Sequence, residues 1–263
     1  MPRAEMRTTR LFGLDFVVGT SIEEVADRLQ RDGQSEDSAW RVVVTPNVDH
    51  LVRYRKSPTQ RRLAETAYMV LPDGAPIVWA SRLLRAPIDQ RLAGSDLFAA
   101  WWQRMVAAER PVIMVAGNEQ LARQLSIENP NCRCIVPPMF ADGDRERVAS
   151  IVGEVLAELD AEPADAVVLG LSMMKHHSIA AGLIESAMPS RNQAAPLLLL
   201  LGASAEFHVG QQQRAPRWMQ RSGLEWSYRL IRDPRRLAKR YLIDDMAFFP
   251  IVWREWRSRR DQQ

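Results

Sequence analysis

The sequence is poor in residues that cross-link a chain or bind metals, because its 263 residues include only two cysteines and four histidines. Cys132 and Cys134 are two positions apart, so on a strand they would share one face. That geometry suits neither a relaxed disulfide nor a four-ligand zinc site. A disulfide-rich secreted scaffold is therefore excluded, and we expect two reduced thiols of the kind found in cytoplasmic proteins.

No apolar segment is long enough to span a bilayer. The longest, Ala194–Ala205, has about 12 residues and is interrupted by Pro196 and Gly202, whereas a spanning helix takes roughly 20. The first ten residues, MPRAEMRTTR, lack the apolar stretch of a secretory signal. The sequence thus predicts neither a membrane-spanning helix nor a signal peptide.

The net charge of +3 hides an uneven distribution of charged residues. Residues 214–263 hold thirteen Lys and Arg against six Asp and Glu, a net charge of +7, whereas residues 1–213 hold twenty-two against twenty-six. Four of the eight tryptophans also lie in this C-terminal segment. We place a boundary at the glutamine run 211–213, which predicts a body of residues 1–210 and an appendage of residues 211–263.

Basic residues interleaved with aromatic ones in the appendage fit three functions. They suit an anionic bilayer surface, where each cation contributes about 1 kcal/mol and Trp occupies the headgroup zone. They also suit a nucleic-acid groove, or a helical hairpin packed on the body with its charges solvated. The pattern alone favours the membrane surface over the other two.

Short apolar runs alternate with amphipathic stretches along the body. A hairpin or strand in Leu11–Val18 and a helix over Ile22–Arg31, capped by Ser21, come first. The predicted strands that follow are Val42–Val44, Met69–Leu71, Val112–Ala116, Cys134–Val136, Ala166–Leu169 and Leu197–Leu201, and the predicted helices are 48–66, 75–84, 95–109, 118–128, 144–160 and 175–188. This alternation predicts an α/β fold, a Rossmann-like parallel sheet flanked by helices, followed by a basic amphipathic helical appendage.

Polar residues follow the first two strands of this predicted sheet. In open parallel sheets the carboxyl ends of the strands form the edge where ligands bind. Asp73 is a candidate general base, because Gly74 beside it allows a ligand to approach closely. The alternative is that Pro-Asp-Gly is only a turn in which Asp73 caps the helix 75–84. Thr45 and Asn47 offer a hydroxyl and an amide that either bind sugar hydroxyls or cap the helix beginning at Val48, and both roles are compatible.

Further candidates lie at later turns of the chain. Arg91 offers a guanidinium group that can bind an anion through two N–H donors. Gly94 and Asp96 lie at the start of a helix whose N-terminal amides suit a phosphate. A surface ion pair is the alternative for these two charged residues. Gly117 lies at another strand-to-helix turn on the same edge. Asp142-Gly143-Asp144 resembles a metal-binding D-x-D motif, but we read its carboxylates as first-turn residues of a helix and predict no metal and no cofactor.

These motifs together resemble the WecG/TagA/CpsF family of bacterial glycosyltransferases. The family shares the TPN of 45–47, the PDG of 72–74 and the R-x-x-G-x-D of 91–96 in this order, and the late stretch GLEWSYRLIRDPRRLAKRYL, Gly223–Leu242, matches its GLEW-x-x-RL-x-x-x-P-x-R segment. The resemblance covers nearly the whole chain. It implies a metal-independent transferase in which Asp73 is catalytic and Thr45 also contributes to catalysis. Asn47 and Arg91 would bind substrate.

The sequence departs from the family at Gly170–His177, GLSMMKHH, where relatives read close to GLGSPKQE. Lys175 is retained, whereas His176 stands where relatives have a glutamine that faces the pocket, so it becomes a candidate substrate contact. A shared histidine metal site is disfavoured because adjacent residues on a helix diverge by about 100°. The arginines Arg214, Arg217 and Arg221 are candidates to fold over the pocket and meet a diphosphate.

The resemblance implies transfer of a hexose, of glucose or N-acetylmannosamine type, from a UDP-sugar to a polyprenyl-diphosphate-linked glycan in exopolysaccharide assembly. It places the protein at the cytoplasmic face of the bacterial inner membrane as a peripheral protein, with no nucleic-acid partner and with a homo-oligomer left open. Two alternatives come from other classes: a nucleotide-sugar-binding regulator without catalysis, and a nucleic-acid-associated protein that uses the basic appendage.

Overall fold

The computed structural model describes residues 6–33, 39–186 and 194–261. The strands are β1 Thr8–Leu11, β2 Leu14–Val17, β3 Arg41–Val44, β4 Met69–Val70, β5 Val112–Val115, β6 Cys132–Ile135, β7 Ala166–Leu169 and β8 Leu197–Leu200. They form one sheet in the order β1-β2-β4-β3-β8-β7-β5-β6. β1 and β2 pair antiparallel, and the other pairings among the described strands are parallel.

Helices connect the strands and continue to the end of the described chain. In the body they are α1 Ile22–Asp32, α2 Val48–Tyr54, α3 Pro58–Glu65, α4 Ala75–Leu83, α5 Gly94–Ala107, α6 Glu119–Glu128, α7 Arg145–Ala161, α8 Met173–Glu185 and α9 Ser204–His208. After residue 210 they are α10 Arg217–Arg221, α11 Glu225–Arg232, α12 Pro234–Lys239 and α13 Phe248–Arg260, with a π-helical turn at Arg240–Asp244 and a 3-10 turn at Asp245–Ala247.

Side chains of each central strand alternate between two hydrophobic cores. Val42 and Val44 pack in one core, against α2, α3, α4, α7 and α8, and Val43 packs in the other, against α1, α5 and α6. A strand that is apolar at every position has its two sides buried under helices on opposite faces of the sheet. The α/β fold with a Rossmann-like, doubly covered parallel sheet is therefore confirmed.

The prediction of one helix over residues 48–66 is wrong, because the chain forms α2 and α3 instead. Pro58 lacks a backbone N–H and would clash with the preceding turn, so a helix ends before it and a new one begins with Pro58 in its first turn. The Ser57 hydroxyl caps the new helix by accepting from the Gln60 N–H at 3.4 Å. The last two residues of the predicted helix 175–188 lie outside the described residues.

The strand predicted at Cys134–Val136 begins two residues earlier, at Cys132. Cys132 and Cys134 are free thiols whose Sγ atoms lie 3.7 Å apart on β6, at one edge of the sheet. They pack in and against the second core rather than at the carboxyl ends of the central strands.

The C-terminal helices pack on the body. Phe248 and Ile251 of α13 belong to the first core, and the rings of Phe248 and Phe12 meet edge to face at 5.6 Å. No helix among the described residues has the length and apolar character needed to cross a membrane. The boundary at residue 211 stays a prediction.

Candidate active site

A cavity of about 620 Å³ opens outside the carboxyl ends of β4, β3, β8 and β7. Its wall on the sheet side includes Thr45, Asn47, Asp73, Gly170 and Ser204. The C-terminal helices supply another part of its wall, through Tyr228, Arg229, Arg232, Arg240 and Tyr241. Groups from the first two strand ends and from the C-terminal segment therefore meet at one cavity, but through Arg229, Arg232 and Arg240 rather than through the predicted Arg214.

Asp73 is held at the cavity wall by two backbone groups. Its own N–H donates to the Pro46 carbonyl at 3.1 Å, which joins the turn after β4 to the turn after β3. Its Oδ2 accepts from the Gly94 N–H at 3.3 Å, at the start of α5. The N-cap of α4 is Gly74, and no side chain caps that helix, so Asp73 does not cap the helix that follows it.

Burial and the neighbouring charges act differently on the Asp73 carboxyl. Burial raises the pKa of the carboxyl above its ordinary value; the positive charge of Arg91 opposes the shift and the negative charge of Glu225 adds to it. A carboxylate with a raised pKa binds a proton more strongly and is a better general base.

Thr45 is buried beside Asp73, with 7% of its surface exposed. The start of α5 passes so close that a Cβ placed on Gly94 would lie 3.0 Å from Thr45 Oγ1 and 3.2 Å from Ser204 Oγ. Glycine at position 94 therefore lets the helix N-terminus reach both hydroxyls and Asp73.

Asn47 caps α2 and also lines the cavity. Its Oδ1 accepts from the backbone N–H of His50 at 3.3 Å and lies 2.8 Å from His50 Nδ1. The cap uses the side-chain oxygen, and the Nδ2 group makes no hydrogen bond to any described residue. Both roles that the sequence left open for Asn47 are thus compatible with the geometry.

Arg91 pairs with the C-terminal segment rather than lining the cavity. Its Nη1 donates to Glu225 Oε2 at 2.8 Å, and 19% and 15% of the two side chains are exposed. Glu225 Oε1 also receives Arg229 Nη2 at 3.2 Å. One carboxylate from α11 therefore binds two guanidinium groups next to Asp73.

Of the predicted site residues that the structure describes, Thr45, Asn47, Asp73 and His176 line the cavity and the others do not. Arg214 Nη1 donates to Asp96 Oδ1, while Arg214 Nε and Nη2 are buried without a partner in the described chain. A Cβ added to Gly117 would lie 3.2 Å from Glu206 Oε1. Lys175 Nζ lies 4.3 Å from the centroid of the Phe140 ring. The Arg221 side chain lies outside the described residues.

Residues 9–262 match the family model described as "Glycosyl transferase WecG/TagA/CpsF family". The chain belongs to this family. The match covers nearly the whole chain, so the body and the C-terminal helices are both parts of the glycosyltransferase.

Histidines form one side of the transferase cavity. The His176 Nδ1 lies 3.0 Å from the Leu171 carbonyl, which can only accept, so Nδ1 carries the proton and Nε2 is an acceptor. That Nε2 is buried and has no partner among the described residues. Burial holds the pKa of His176 well below its ordinary value, and the positive charge of a protonated His177 would add to this shift. The neutral His176 therefore presents an acceptor at the cavity wall.

His177, the next residue, turns away from the cavity. Its Nδ1 lies 3.0 Å from the Met173 carbonyl, and its Nε2 accepts from the Tyr54 hydroxyl at 3.1 Å. The two histidine rings are 4.7 Å apart, but their nitrogens have different partners. No set of three or more His, Cys, Asp or Glu side chains in the described ranges could hold a metal ion. Asp144 of the D-x-D motif caps α7 by accepting from the Arg147 N–H at 3.0 Å.

The glycosyltransferase brings arginines to the cavity that the sequence did not single out. Arg229, Arg232 and Arg240 line it, whereas Arg214 pairs with Asp96. Arg53 and Asp49 also line it and form an ion pair at 2.8 Å, and Arg240 approaches Asp49 at 3.5 Å. The spacing of Asp49 and Arg53, four residues apart on one helix, is a signal that could have found this pair. Glu225 stands in the GLEW motif, but its partner Arg91 is 134 residues away.

Proposed function

We propose that this protein is an inverting glycosyltransferase that moves a hexose from a UDP-sugar to a hydroxyl of a glycan carried on polyprenyl diphosphate. The observation that supports it best is that Asp73, Thr45 and Asn47 share one cavity with Arg229, Arg232 and Arg240. A base on one side and cations on the other are the two elements that transfer from a sugar diphosphate needs.

In the proposed reaction Asp73 takes the proton of the acceptor hydroxyl as that oxygen bonds to the anomeric carbon. The bond between the anomeric carbon and the diphosphate oxygen breaks on the opposite face, and UDP leaves with the bonding electron pair. The proton stays on Asp73 until it is lost to solvent. Thr45 and the free Nδ2 group of Asn47 hold sugar or acceptor hydroxyls in line for this displacement.

The leaving diphosphate is proposed to meet Arg229, Arg232 and Arg240. Arg232 is exposed and pairs with no carboxylate in the described part of the chain. Each guanidinium lies over an aromatic ring, 4.9 Å from Phe207, 5.3 Å from Tyr228 and 5.5 Å from Tyr241 respectively. Stacking on a ring restricts the guanidinium, and its N–H groups that are not paired with a carboxylate can donate to phosphate oxygens.

The donor is proposed to be a UDP-hexose of glucose or N-acetylmannosamine type, and the product a step in exopolysaccharide assembly. The experiment offers the purified enzyme a panel of UDP-sugars together with a short-chain polyprenyl-diphosphate glycan. Mass spectrometry of the glycan should show a mass gain of one hexose unit with one donor class. No gain with any donor, alongside tight UDP-sugar binding, would support the regulator instead.

We also propose that the C-terminal helices hold the enzyme on the cytoplasmic face of the inner membrane as a peripheral protein. Their exposed large apolar side chains are Trp218, Leu224, Trp226, Ile231, Leu242, Ile243, Met246, Phe249 and Trp253. Apolar groups beside arginines fit an anionic headgroup layer.

Flotation with vesicles that contain anionic lipid tests this placement. The double variant Phe249→Ala with Trp253→Ala should float less than wild type, whereas Ile127→Ala, which removes an exposed apolar side chain on α6, should float equally. Binding to an oligonucleotide in a salt-dependent way, with no flotation, would contradict the membrane placement and favour a nucleic-acid partner.

A further inference from the structure

Glu225 is the acidic residue at which α11 begins, and each of its carboxylate oxygens holds one guanidinium group. Oε2 accepts from Arg91 Nη1 at 2.8 Å and Oε1 faces Arg229 Nη2 at 3.2 Å. Only 15% of the Glu225 side chain and 19% of the Arg91 side chain are exposed, so this pair is less screened by water than a surface pair, whereas Arg229 is 37% exposed.

Asp73 lies within the electrostatic reach of all three groups. The charges of Arg91 and Arg229 act to lower the pKa of Asp73 and that of Glu225 acts to raise it. Asp96 is a further negative charge that faces Arg91. In the described chain, however, the Asp73 carboxylate accepts from the Gly94 N–H, and Arg91 donates to Glu225 instead.

An arginine that paired directly with Asp73 would occupy the carboxylate lone pairs that must receive the acceptor proton. We propose that Glu225 is a positioning residue for the proposed base: it holds Arg91 and Arg229 away from Asp73, so that a carboxylate oxygen stays open to the acceptor hydroxyl. This inference rests on the proposed function. It assigns to α11 a part in proton transfer that is separate from binding the diphosphate or a membrane.

The chain just before Glu225 contacts α4, the helix that follows Asp73. Gly223, two residues before Glu225, packs against α4, which begins two residues after Asp73. A Cβ on Gly223 would lie 2.5 Å from Trp79 Cζ2 and 2.7 Å from the Ala75 Cβ. The contact between Gly223 and α4 therefore helps to set the position of Glu225 relative to Asp73.

The test is the pH profile of kcat/KM for Glu225→Gln, with Glu255→Gln as the control. Glu255 pairs with Arg259 on α13 at an N–O distance of 2.9 Å. The control therefore removes a C-terminal ion pair whose distance is close to the 2.8 Å between Arg91 and Glu225. In Glu225→Gln, Arg91 is no longer neutralised and turns to Asp73, which lowers the pKa of the base. The acid limb should move to lower pH and kcat should fall roughly ten- to a hundredfold. Glu255→Gln should keep the wild-type limb.

A double-mutant cycle separates this role from a general loss of packing. If Glu225 acts by holding Arg91, Glu225→Gln should shift the acid limb of the pH profile much less in the Arg91→Gln background than in the wild-type background. Glu225→Asp, which keeps the charge, should retain the wild-type limb. An unchanged limb in Glu225→Gln, whether kcat falls or not, would overturn the inference.

Failure of the inference is distinguishable from failure of the proposed function. If wild type transfers sugar, Asp73→Asn does not, and Glu225→Gln behaves as wild type, the inference alone is wrong. If wild type transfers nothing, the proposed function falls, and a carboxyl ¹³C NMR titration still measures whether Glu225→Gln lowers the pKa of Asp73. The Asp73 signal is assigned by its loss in Asp73→Asn. No change in that pKa would overturn the inference independently of activity.

Discussion

The Asp73 carboxylate accepts a hydrogen bond from the backbone N–H of Gly94, 3.3 Å away at the start of α5. The first N–H groups of a helix have no intrahelical acceptor, so this donor is fixed and costs the helix nothing. One oxygen of Asp73 is oriented in this way, while the other has no hydrogen bond to the described residues. The Pro-Asp-Gly turn and the helix that begins at Gly94 therefore act as one unit at the cavity.

Replacing Gly94 by alanine should disrupt this unit. The new Cβ would lie 3.0 Å from Thr45 Oγ1 and 3.2 Å from Ser204 Oγ, both on buried side chains. We expect a loss of roughly 1–3 kcal/mol in the free energy of unfolding, together with a large fall in kcat. Urea denaturation and initial transfer rates measure the two effects.

Gly153→Ala is the matched control for that variant. Gly153 lies inside α7 with nothing within 4 Å of a Cβ, so alanine should stabilise the protein by about 0.5–1 kcal/mol and leave kcat unchanged. Equal stability and activity in Gly94→Ala and wild type would show that α5 does not need its close approach to Thr45.

Replacing Gly223 by alanine should release the C-terminal helices from α4. Gly223 has a φ of 75°, and a Cβ there would lie 2.5 Å from a ring atom of Trp79. Limited proteolysis should cut the segment after residue 210 faster, and kcat should fall, while the fluorescence of the buried Trp101 and Trp102 changes little.

Gly210→Ala separates backbone strain from the clash. Gly210 has a similar φ of 77°, but nothing lies within 4 Å of a Cβ at this position. It should therefore show only the modest destabilisation of a left-handed alanine, of about 1–2 kcal/mol. Equal proteolysis of the two variants would contradict a specific docking contact at Gly223.

Stability should fall on acidification because of the histidine cluster. Burial lowers the pKa of His177 to about 4, and the pKa of His176 and of His50, beside it, is lowered as well. Between about pH 6.5 and pH 4 the unfolded chain binds a proton that folded His177 does not, so stability is lost as pH falls through this window. By pH 4 this loss is on the order of 3 kcal/mol for His177.

Urea denaturation at several pH values measures that slope. His177→Gln can still accept from the Tyr54 hydroxyl and does not titrate, so its stability should fall less steeply in this window. A His177→Gln slope equal to that of wild type would contradict a neutral His177 in the folded state.

Local patterns predicted the sheet and one side of the cavity. The central strands are short, mainly apolar runs, and Thr45 and Asp73-Gly74 follow β3 and β4, so the edge of the sheet could be located without coordinates. Pro58 indicates a break between α2 and α3. The amphipathic period continues across it, however, so the sequence pattern predicted one helix. The period of a helix also separates the nitrogens of His176 and His177, as expected.

The other side of the cavity could not be predicted in this way. Arg91 meets Glu225 over 134 residues and Arg214 meets Asp96 over 118, and no local pattern encodes which cation meets which carboxylate. Among the arginines of the C-terminal segment, those that line the cavity depend on how the turn at Gly223, just before α11, packs on α4. That packing depends on the absence of a side chain at Gly223.

The rate of sugar transfer by Asp73→Asn, measured beside its affinity for the UDP-sugar, tests the central claim most directly. Asparagine keeps the shape of the side chain and can still accept from the Gly94 N–H, but it cannot take a proton from the acceptor. We expect kcat to fall by roughly 10²–10⁴-fold while the donor Kd changes by less than about threefold. A variant that transfers sugar at the wild-type rate would contradict the account.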